Sequence, residues 1–189
     1  GIAIDGIPIR KAGELFGILN LVFFSPEDLN IIKNGPGERR RFLDLELCQL
    51  NKLYLSDLSN YNHILNQRNK LLKDLAFQPS LMNTLEVWDE QLVHYGCSVI
   101  RSRRDFIEEM NGIIREIHSN ITGGKEEIQL IYEPSTLEED FLSALSQNQE
   151  RDCRFKMTSI GPHRDDIAFL LGGGGQIQHK AGVEIGEHL

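Results

Sequence analysis

The stretch "LMNTLEVWDEQLVHYGCSVIRSRRDFIEEMNGIIREI", residues 81–117, carries apolar residues at steps of three, four and seven. These steps match the period of an amphipathic α-helix with a heptad-like seam. Ser80 can cap this helix, and Gly123-Gly124 can end it. The sequence therefore predicts a helix of about 40 residues, about 60 Å long. Its seam comprises Leu81, Leu85, Trp88, Leu92, Tyr95, Val99, Phe106, Met110, Ile113 and Ile117.

A second apolar stripe precedes this helix. From Pro36 to Leu72 leucines and tyrosines advance by threes and fours, which predicts one long amphipathic helix. Pro79 in "AFQPS" separates the two helices. Two such stripes joined by a short loop can bury themselves only against each other, so we expect an antiparallel helical hairpin. With the loop centred near Gln78, position 68 would lie opposite about position 88, and 53 opposite about 103.

The two ends of the chain have strand-like patterns. Isoleucines alternate around Asp5-Gly6, which predicts a β-hairpin, and a short helical turn follows near residues 11–16. "ILNLVFF" reads as a buried strand over residues 18–24, and Ser25 and Pro26 then begin a short helix that Asn34-Gly35 ends. The fold class is therefore α+β and mostly helical, with the hairpin inserted between β-rich segments.

Three further elements are predicted after the hairpin. "EEIQLIYE" is a short strand, and "STLEEDFLSALSQ" is a helix with a capping box of Thr136 and Glu139. "SIGPHRDDIAFLL" returns to strand-like sequence until the glycines at 172–175 break it.

Composition excludes several classes of protein. The 189 residues carry a formal charge of −8, so nucleic-acid binding would need local basic patches. Cys48, Cys97 and Cys153 fit neither a disulfide framework nor a paired metal motif, which favours a reducing, cytoplasmic location. No run of 18 apolar residues indicates a membrane span. A chain that begins at Gly1 within a strand pattern suggests a piece of a longer protein.

Three consecutive arginines, Arg39, Arg40 and Arg41, stand at a helix start, where the helix dipole disfavours cations. Consecutive helical residues fan out by about 100°, so at most two of the three can serve one surface. That surface would bind phosphates, while another arginine pairs with Asp44. A solvated basic face is the alternative.

Two more basic motifs follow. Arg101, Arg103 and Arg104 lie on the second helix, offset along the hairpin from the basic residues at 68–73, and such charges often only solubilise a helix. In "GPHRDD", His163 and Arg164 are candidate phosphate or interface groups, with Asp165 or Asp166 orienting the arginine. One histidine with adjacent acids supplies too few ligands for a metal site.

Four segments, "FFSPEDL", "GERRRFLD", "QRNKLLK" and "SIGPHRDDIAF", resemble in this order the middle region of the RecF family of bacterial replication-repair ATPases. The resemblance covers residues 1–171. It implies an ABC-type ATPase head lobe related to SMC proteins, divided into a β-rich segment (1–35), a helical arm (36–150) and returning strands with an atypical tail (151–189).

The resemblance also implies function. A full-length protein of this family would bind DNA and ATP with Mg²⁺, dimerise with ATP, hydrolyse it weakly in a DNA-dependent way, and serve DNA replication, repair, recombination and the SOS response in the cytoplasm. Ser25, Glu27 and Asp28 are sensor-loop candidates for nucleotide, although Ser25 and Asp28 could simply cap a helix. The DNA-binding candidates are Arg39, Arg40, Arg41, Arg101, Arg104, His163 and Arg164. A protein-interaction arm that docks a RecR-like mediator or the second protomer is the alternative.

The 189 residues contain no G-x-x-x-x-G-K-[ST] phosphate loop, no Ser-x-Gly-Gln-Gln signature and no strand ending in paired acids. "TGGKEE" lacks the hydroxyl after Lys125. We therefore expect this chain alone to have no catalytic residues, to hydrolyse no ATP and to hold no cofactor or metal. Residues 172–189 depart from the family pattern, and no family role is carried over to them.

Overall fold

The computed structural model describes residues 3–10, 12–15, 18, 25–173 and 176–181. The predicted hairpin is present: β1 (Ala3–Ile4) pairs antiparallel with β2 (Ile7–Pro8). Asp5 and Gly6 have φ of 50° and 81°, and two positive φ angles are what a type I′ hairpin turn requires. A 3₁₀ turn follows at Ala12–Leu15. The strand predicted for residues 18–24 lies outside the described residues, apart from Ile18 in a turn.

The single helix predicted from Pro36 to Leu72 is wrong, because the chain bends at Asn51. After a 3₁₀ turn (Pro26–Leu29) and α1 (Asn30–Lys33), α2 spans Pro36–Leu50 and α3 spans Lys52–Asp74. Asn51 is extended, and its side-chain oxygen accepts hydrogen bonds from the backbone N–H groups of Leu53 and Tyr54. An asparagine that caps a new helix competes with continuing the old one. The apolar period runs through the break because both helices bury residues in the same core.

A 3₁₀ turn at Pro79–Thr84 joins α3 to α4 (Leu85–Thr122), a helix of 38 residues. The predicted cap at Ser80 is wrong: α4 starts at Leu85, and Thr84 before it makes no side-chain cap. Gly123 ends α4 in the left-handed conformation with φ of 64°, as predicted. The helical hairpin, meaning α3 and α4, is therefore present with slightly different ends.

The predicted register of the helical hairpin is confirmed. Arg68 of α3 meets Asp89 of α4, with Nε to Oδ1 at 2.6 Å. Near the other end, Arg103 Nε donates to the Tyr54 hydroxyl at 3.1 Å. Both pairs lie within one residue of the expected positions. Placing the centre of the loop near Gln78 was therefore enough to predict which residues of α3 and α4 lie opposite each other.

The helical hairpin does not bury its apolar stripes alone, which corrects the prediction of a self-packed arm. Its core is completed by Phe141 and Leu145, both fully buried. Phe141 approaches α4 at Gly96, where a Cβ atom would lie 2.5 Å from the Phe141 ring. Any side chain at Gly96 would therefore push these elements apart.

The seam predicted for the last third of α4 is also corrected. Ile113 and Ile117 are each 53% exposed, whereas Ile107 is buried with Leu130 and Ile167. Beyond residue 106, α4 packs against a β-sheet rather than along α3, and the sheet covers a different face of the helix.

The C-terminal part forms an antiparallel sheet in the order β3-β4-β5. Strand β3 (Glu127–Glu133) pairs with β4 (Asp166–Gly173), and β4 pairs with β5 (Gln176–Ala181), a strand that the sequence did not predict. Between β3 and β4 lie α5 (Phe141–Gln147) and the unpredicted α6 (Gln149–Phe155).

The capping box expected at Thr136 and Glu139 is absent from this part of the described chain. The helix begins later, at Phe141, with Asp140 before it and no side-chain cap. Thr136 instead directs its hydroxyl to the carbonyl of Leu137. Among the described residues, no helix combines the length and the apolar character needed to cross a membrane.

Candidate nucleic-acid interface at the base of the helical hairpin

The three consecutive arginines separate onto two sides of α2, as the helical fan predicts. Arg39 is buried, and its guanidinium makes a two-point contact with Asp166, with Nε–Oδ1 at 2.6 Å and Nη2–Oδ2 at 3.1 Å. Its Nη1 also donates to the carbonyls of Ile31 and Asn34. Four contacts within the protein occupy Arg39, which does not favour the DNA contact predicted for it.

Arg40 and Arg41 lie on the other side of α2 and line a cleft of about 450 Å³. We call it the basic cleft; it is lined by residues of α2 and α3, by Arg103 of α4, and by Pro162 and His163. Arg40 Nη1 donates to the carbonyl of Asp165 at 2.7 Å, and Arg41 is exposed. In the described part of the chain, neither arginine forms an ion pair with a carboxylate.

The electrostatic surroundings of Arg40 are unfavourable for its charge. Burial lowers the pKa of Arg40, Arg103 and Arg164 lower it further, and Asp165 and Asp166 oppose that shift. A cation whose pKa is lowered lacks full compensation, and an anion beside it would restore the balance.

The ion pair predicted between Asp44 and one of the three arginines is wrong. Asp44 Oδ1 accepts instead from Arg103 Nη2 at 2.7 Å and from the Tyr54 hydroxyl at 2.5 Å. Arg103 is buried, and it also donates to the carbonyl of Pro162. The partner of Asp44 is thus Arg103 of α4, which the spacing of residues along α2 could not reveal.

The "GPHRDD" motif forms a turn that several elements hold in place. Gly161 has φ of 130°, and a Cβ atom there would overlap the Tyr61 hydroxyl. Asp165 is buried and accepts from the Tyr132 hydroxyl and from the backbone N–H of Ser135. This turn is therefore a junction between the helical hairpin, β3 and β4.

His163 is directed into the protein. Its Nε2 lies 3.0 Å from the carbonyl oxygen of Thr158, which can only accept, so Nε2 carries the proton. Its Nδ1 accepts from the Tyr61 hydroxyl at 2.7 Å. Burial lowers the pKa of His163 to about 4, so the ring is neutral at pH 7. Both ring nitrogens are occupied, and His163 offers no positive charge to a phosphate.

Arg164 is exposed at the mouth of this turn. It makes one long contact, 3.4 Å from Nη2 to the carbonyl of Thr158. The prediction that Asp165 or Asp166 orients Arg164 is wrong, because Asp166 pairs with Arg39 and Asp165 faces Tyr132 and Ser135. Arg164 is thus left with its charge toward solvent, close enough to Arg40 to affect its pKa.

The other predicted arginines lie farther along α4. Arg101 and Arg104 both pair with Glu138, with nitrogen-to-oxygen distances of 2.7 and 2.8 Å. They share one carboxylate and do not line the basic cleft. Their assignment to DNA stays a prediction, and a phosphate would have to compete with Glu138.

Sequence reasoning missed a buried ionic cluster around Arg68. Arg68 is fully buried and donates to Asp89 at 2.6 Å, to Asp152 at 2.7 Å and to the Thr158 hydroxyl at 2.9 Å. Asp152 is fully buried too and also accepts from the backbone N–H and hydroxyl of Ser159. The one available signal was the skipped apolar step at residues 68 and 69, which marks a polar position on a buried stripe.

The sensor-like turn shows the capping geometry that we gave as the simpler alternative. The Asp28 carboxylate accepts from the backbone N–H of Ser25 at 2.6 Å, and the backbone N–H of Asp28 donates to the Ser25 carbonyl at 3.0 Å. The nucleotide roles of Ser25, Glu27 and Asp28 stay predictions. Within the described residues, no group of three histidine, cysteine or acidic side chains could bind a metal ion.

Comparison with known proteins places the chain in a family. It is 57% identical over 173 residues to the DNA replication and repair protein RecF of Lachnoclostridium phytofermentans, and 60% identical over 173 residues to that of Agathobacter rectalis. Both alignments cover 92% of this chain. The chain belongs to the RecF family. It spans about half the length of these relatives, 48% in each case. No family model matches it.

The fold agrees with solved RecF structures. A RecF–ATP complex described as a recombination mediator in the RecFOR pathway superposes with a TM-score of 0.83, and the corresponding ATPrS complex with 0.82. Each is 32% identical and aligns with 88% of this chain and 47% of the solved chain. The mostly helical α+β fold of an ABC-type ATPase is therefore confirmed for the region that this chain covers.

Proposed function

We propose that this chain is the part of a RecF-type DNA replication and repair protein that contacts DNA phosphates. The observation that carries the proposal is the charge pattern at the base of the helical hairpin. Arg40, Arg41 and Arg164 have no carboxylate partner among the described residues, although the chain is acidic overall. Arg39, Arg68 and Arg103, by contrast, are buried and ion-paired. Cations that the fold does not neutralise are available to an external anion.

The proposed contact is independent of DNA sequence, because phosphate contacts position a protein and carry no base information. In the whole protein, the proposal includes binding of ATP and Mg²⁺, ATP-dependent dimerisation, weak DNA-dependent ATP hydrolysis, and service in replication, repair, recombination and the SOS response in the cytoplasm. The phosphate loop, signature and paired-acid strand are not among these 189 residues. This chain would contribute Ser25, Glu27 and Asp28 as the nucleotide-sensing turn.

Arg39 supports a connection between the sensing turn and the DNA-contacting side. Its guanidinium donates to the carbonyls of Ile31 and Asn34, which lie within and just after α1, the helix that follows the sensing turn. It also pairs with Asp166, two residues after the exposed Arg164. A displacement of residues 25–34 would therefore be transmitted through Arg39 to the start of β4. We assign Arg39 a positioning role on this ground.

The test is the salt dependence of duplex DNA binding by the double variant Arg41→Ala plus Arg164→Ala. Each lost phosphate contact should make the slope of log K against log salt shallower by about 0.9, so we expect a change of about one to two units. Fluorescence anisotropy over a salt series measures it. Arg115→Ala is the matched control, because Arg115 is exposed and lies outside the basic cleft, and it should leave the slope unchanged. Arg39→Ala should lower the melting temperature, because it removes a buried ion pair. An unchanged slope in the double variant would contradict the proposal.

A second candidate function has its own observation. Ile113, Ile117 and Ile121 repeat every four residues on α4 and are 53%, 53% and 78% exposed. A stripe of this kind is typical of a surface that docks another protein. It favours contact with a RecR-like mediator or the second protomer. Binding through this stripe should be nearly independent of salt and should be lost in Ile117→Asp, whereas DNA binding should persist.

A further inference from the structure

The basic cleft combines two kinds of lining residue. Arg40 and Arg41 supply the cationic part. Leu45, Leu58 and Cys48 supply apolar surface, and the exposed amide of Asn62 provides a donor and an acceptor. A cleft of about 450 Å³ with an apolar wall and few polar groups is within the range of small-molecule sites.

The other polar groups of the cleft are already occupied. Arg103 and Tyr54 both donate to the Asp44 carboxylate, so its negative charge is compensated within the protein. The Tyr61 hydroxyl is held by His163. Burial raises the pKa of the Cys48 thiol to about 11, so Cys48 is a neutral apolar surface at pH 7. Arg103 also lines the cleft, but it is buried and ion-paired with Asp44. Arg40 and Arg41 are therefore the lining arginines that an added anion would neutralise.

We propose that the basic cleft binds one nucleoside phosphate, with the phosphate on Arg40 and Arg41 and the base against Leu45, Leu58 and the Asn62 amide. This inference rests on the proposed DNA contact and deepens it: one nucleotide unit is held in a cleft, in addition to phosphates contacted on the surface. A guanidinium pair matches phosphate oxygens, and an apolar wall beside an amide matches a base with its hydrogen-bonding edge. The same chemistry is presented by a free nucleotide and by a nucleotide unit of a single strand.

The experiment titrates the 189-residue chain with deoxyadenosine 5′-monophosphate, deoxyadenosine and inorganic phosphate, followed by NMR chemical shifts of backbone amides and leucine methyls. We expect the nucleotide to bind more tightly than either part and to shift Leu45 and Leu58. Arg41→Ala should weaken nucleotide binding about tenfold, the effect of one charge-assisted hydrogen bond. Leu45→Ala, at a half-exposed position that should leave the fold intact, should weaken the nucleotide about threefold and leave inorganic phosphate unaffected.

Arg115→Ala is the matched control, because Arg115 is an exposed arginine that lines a different cleft. It should leave nucleotide binding unchanged. Equal affinities for nucleotide and phosphate, shifts that map outside the cleft, or equal weakening by Arg115→Ala would each overturn the inference. The oligonucleotide (dT)₆ separates the two sources: competition with the mononucleotide identifies a strand unit, and its absence identifies a free nucleotide as the occupant.

The same samples distinguish this inference from the proposed function. If duplex DNA binds with the expected salt slope and the mononucleotide does not bind, the cleft inference fails and the proposed function stands. If the mononucleotide binds in the cleft and no DNA binds, the proposed function fails and the cleft is a nucleotide site.

Discussion

Arg39 and Arg41 stand two residues apart on α2, and the two sides of that helix use them in opposite ways. Arg39 is buried against Asp166 and two carbonyls, whereas Arg41 is exposed in the basic cleft without an ion pair to any described carboxylate. The same contrast separates buried Arg68 and Arg103 from exposed Arg164. Some of the arginines of this chain therefore stabilise the fold, and only their burial and their partners distinguish them from the exposed ones.

The largest effect is expected for a buried, ion-paired arginine. Arg68→Ala would leave Asp152, which is fully buried, without its cation. Removing one partner of a buried pair costs about 3–5 kcal/mol, a large part of the stability of a typical domain. Urea denaturation followed by circular dichroism should show this loss. A free energy of unfolding within 1 kcal/mol of the parent would mean that the cluster is solvated.

The second effect concerns His163, which lies in the turn between buried Arg103 and exposed Arg164. The folded-state pKa of His163 is about 4, below the ordinary value of 6.5, because the ring is buried; Arg164 and Arg40 lower it further, and the Thr158 carbonyl and Asp152 oppose the shift. Between pH 6.5 and 4 the unfolded chain binds a proton that the folded chain does not, so stability falls as pH falls. The loss should reach about 3 kcal/mol at pH 4 and be absent above pH 7.

Chemical denaturation at several pH values measures this dependence, and His163→Gln is the control. Glutamine can donate to the Thr158 carbonyl and accept from Tyr61, and it does not titrate. The variant should therefore lose this part of the acid dependence. If the parent and His163→Gln have the same pH profile between 6.5 and 4, the histidine is not the group responsible.

The smallest effect is expected for an exposed arginine. Arg104 is 44% exposed and pairs with Glu138, which Arg101 also contacts. Exposed ion pairs contribute about 0–1 kcal/mol, and the remaining arginine keeps the carboxylate paired. Arg104→Ala should lower the free energy of unfolding by less than 1 kcal/mol. A loss as large as that of Arg68→Ala would remove the distinction between internal and surface arginines.

Local patterns determined much of this protein. The Asp5-Gly6 turn, the end of α4 at Gly123 and the register of the helical hairpin follow from residues close in sequence or from a fixed helical period. The fan of consecutive residues on α2 also predicted that at most two of the three arginines could share a surface, as Arg40 and Arg41 do. Each of these features depends on backbone geometry that a short segment carries with it.

Tertiary structure alone decided the partners of the charged residues. Asp44 pairs with Arg103 across 59 positions, Arg39 with Asp166 across 127, and Arg68 with Asp152 across 84. The bend at Asn51 and the burial of α4 by Phe141 and the sheet depend likewise on segments far away in the chain. Ion pairing and burial depend on distance in space, which the helical period does not encode beyond one element. For that reason the candidate arginines could be identified from the sequence, whereas the fold decided which of them are ion-paired inside the protein and which are exposed.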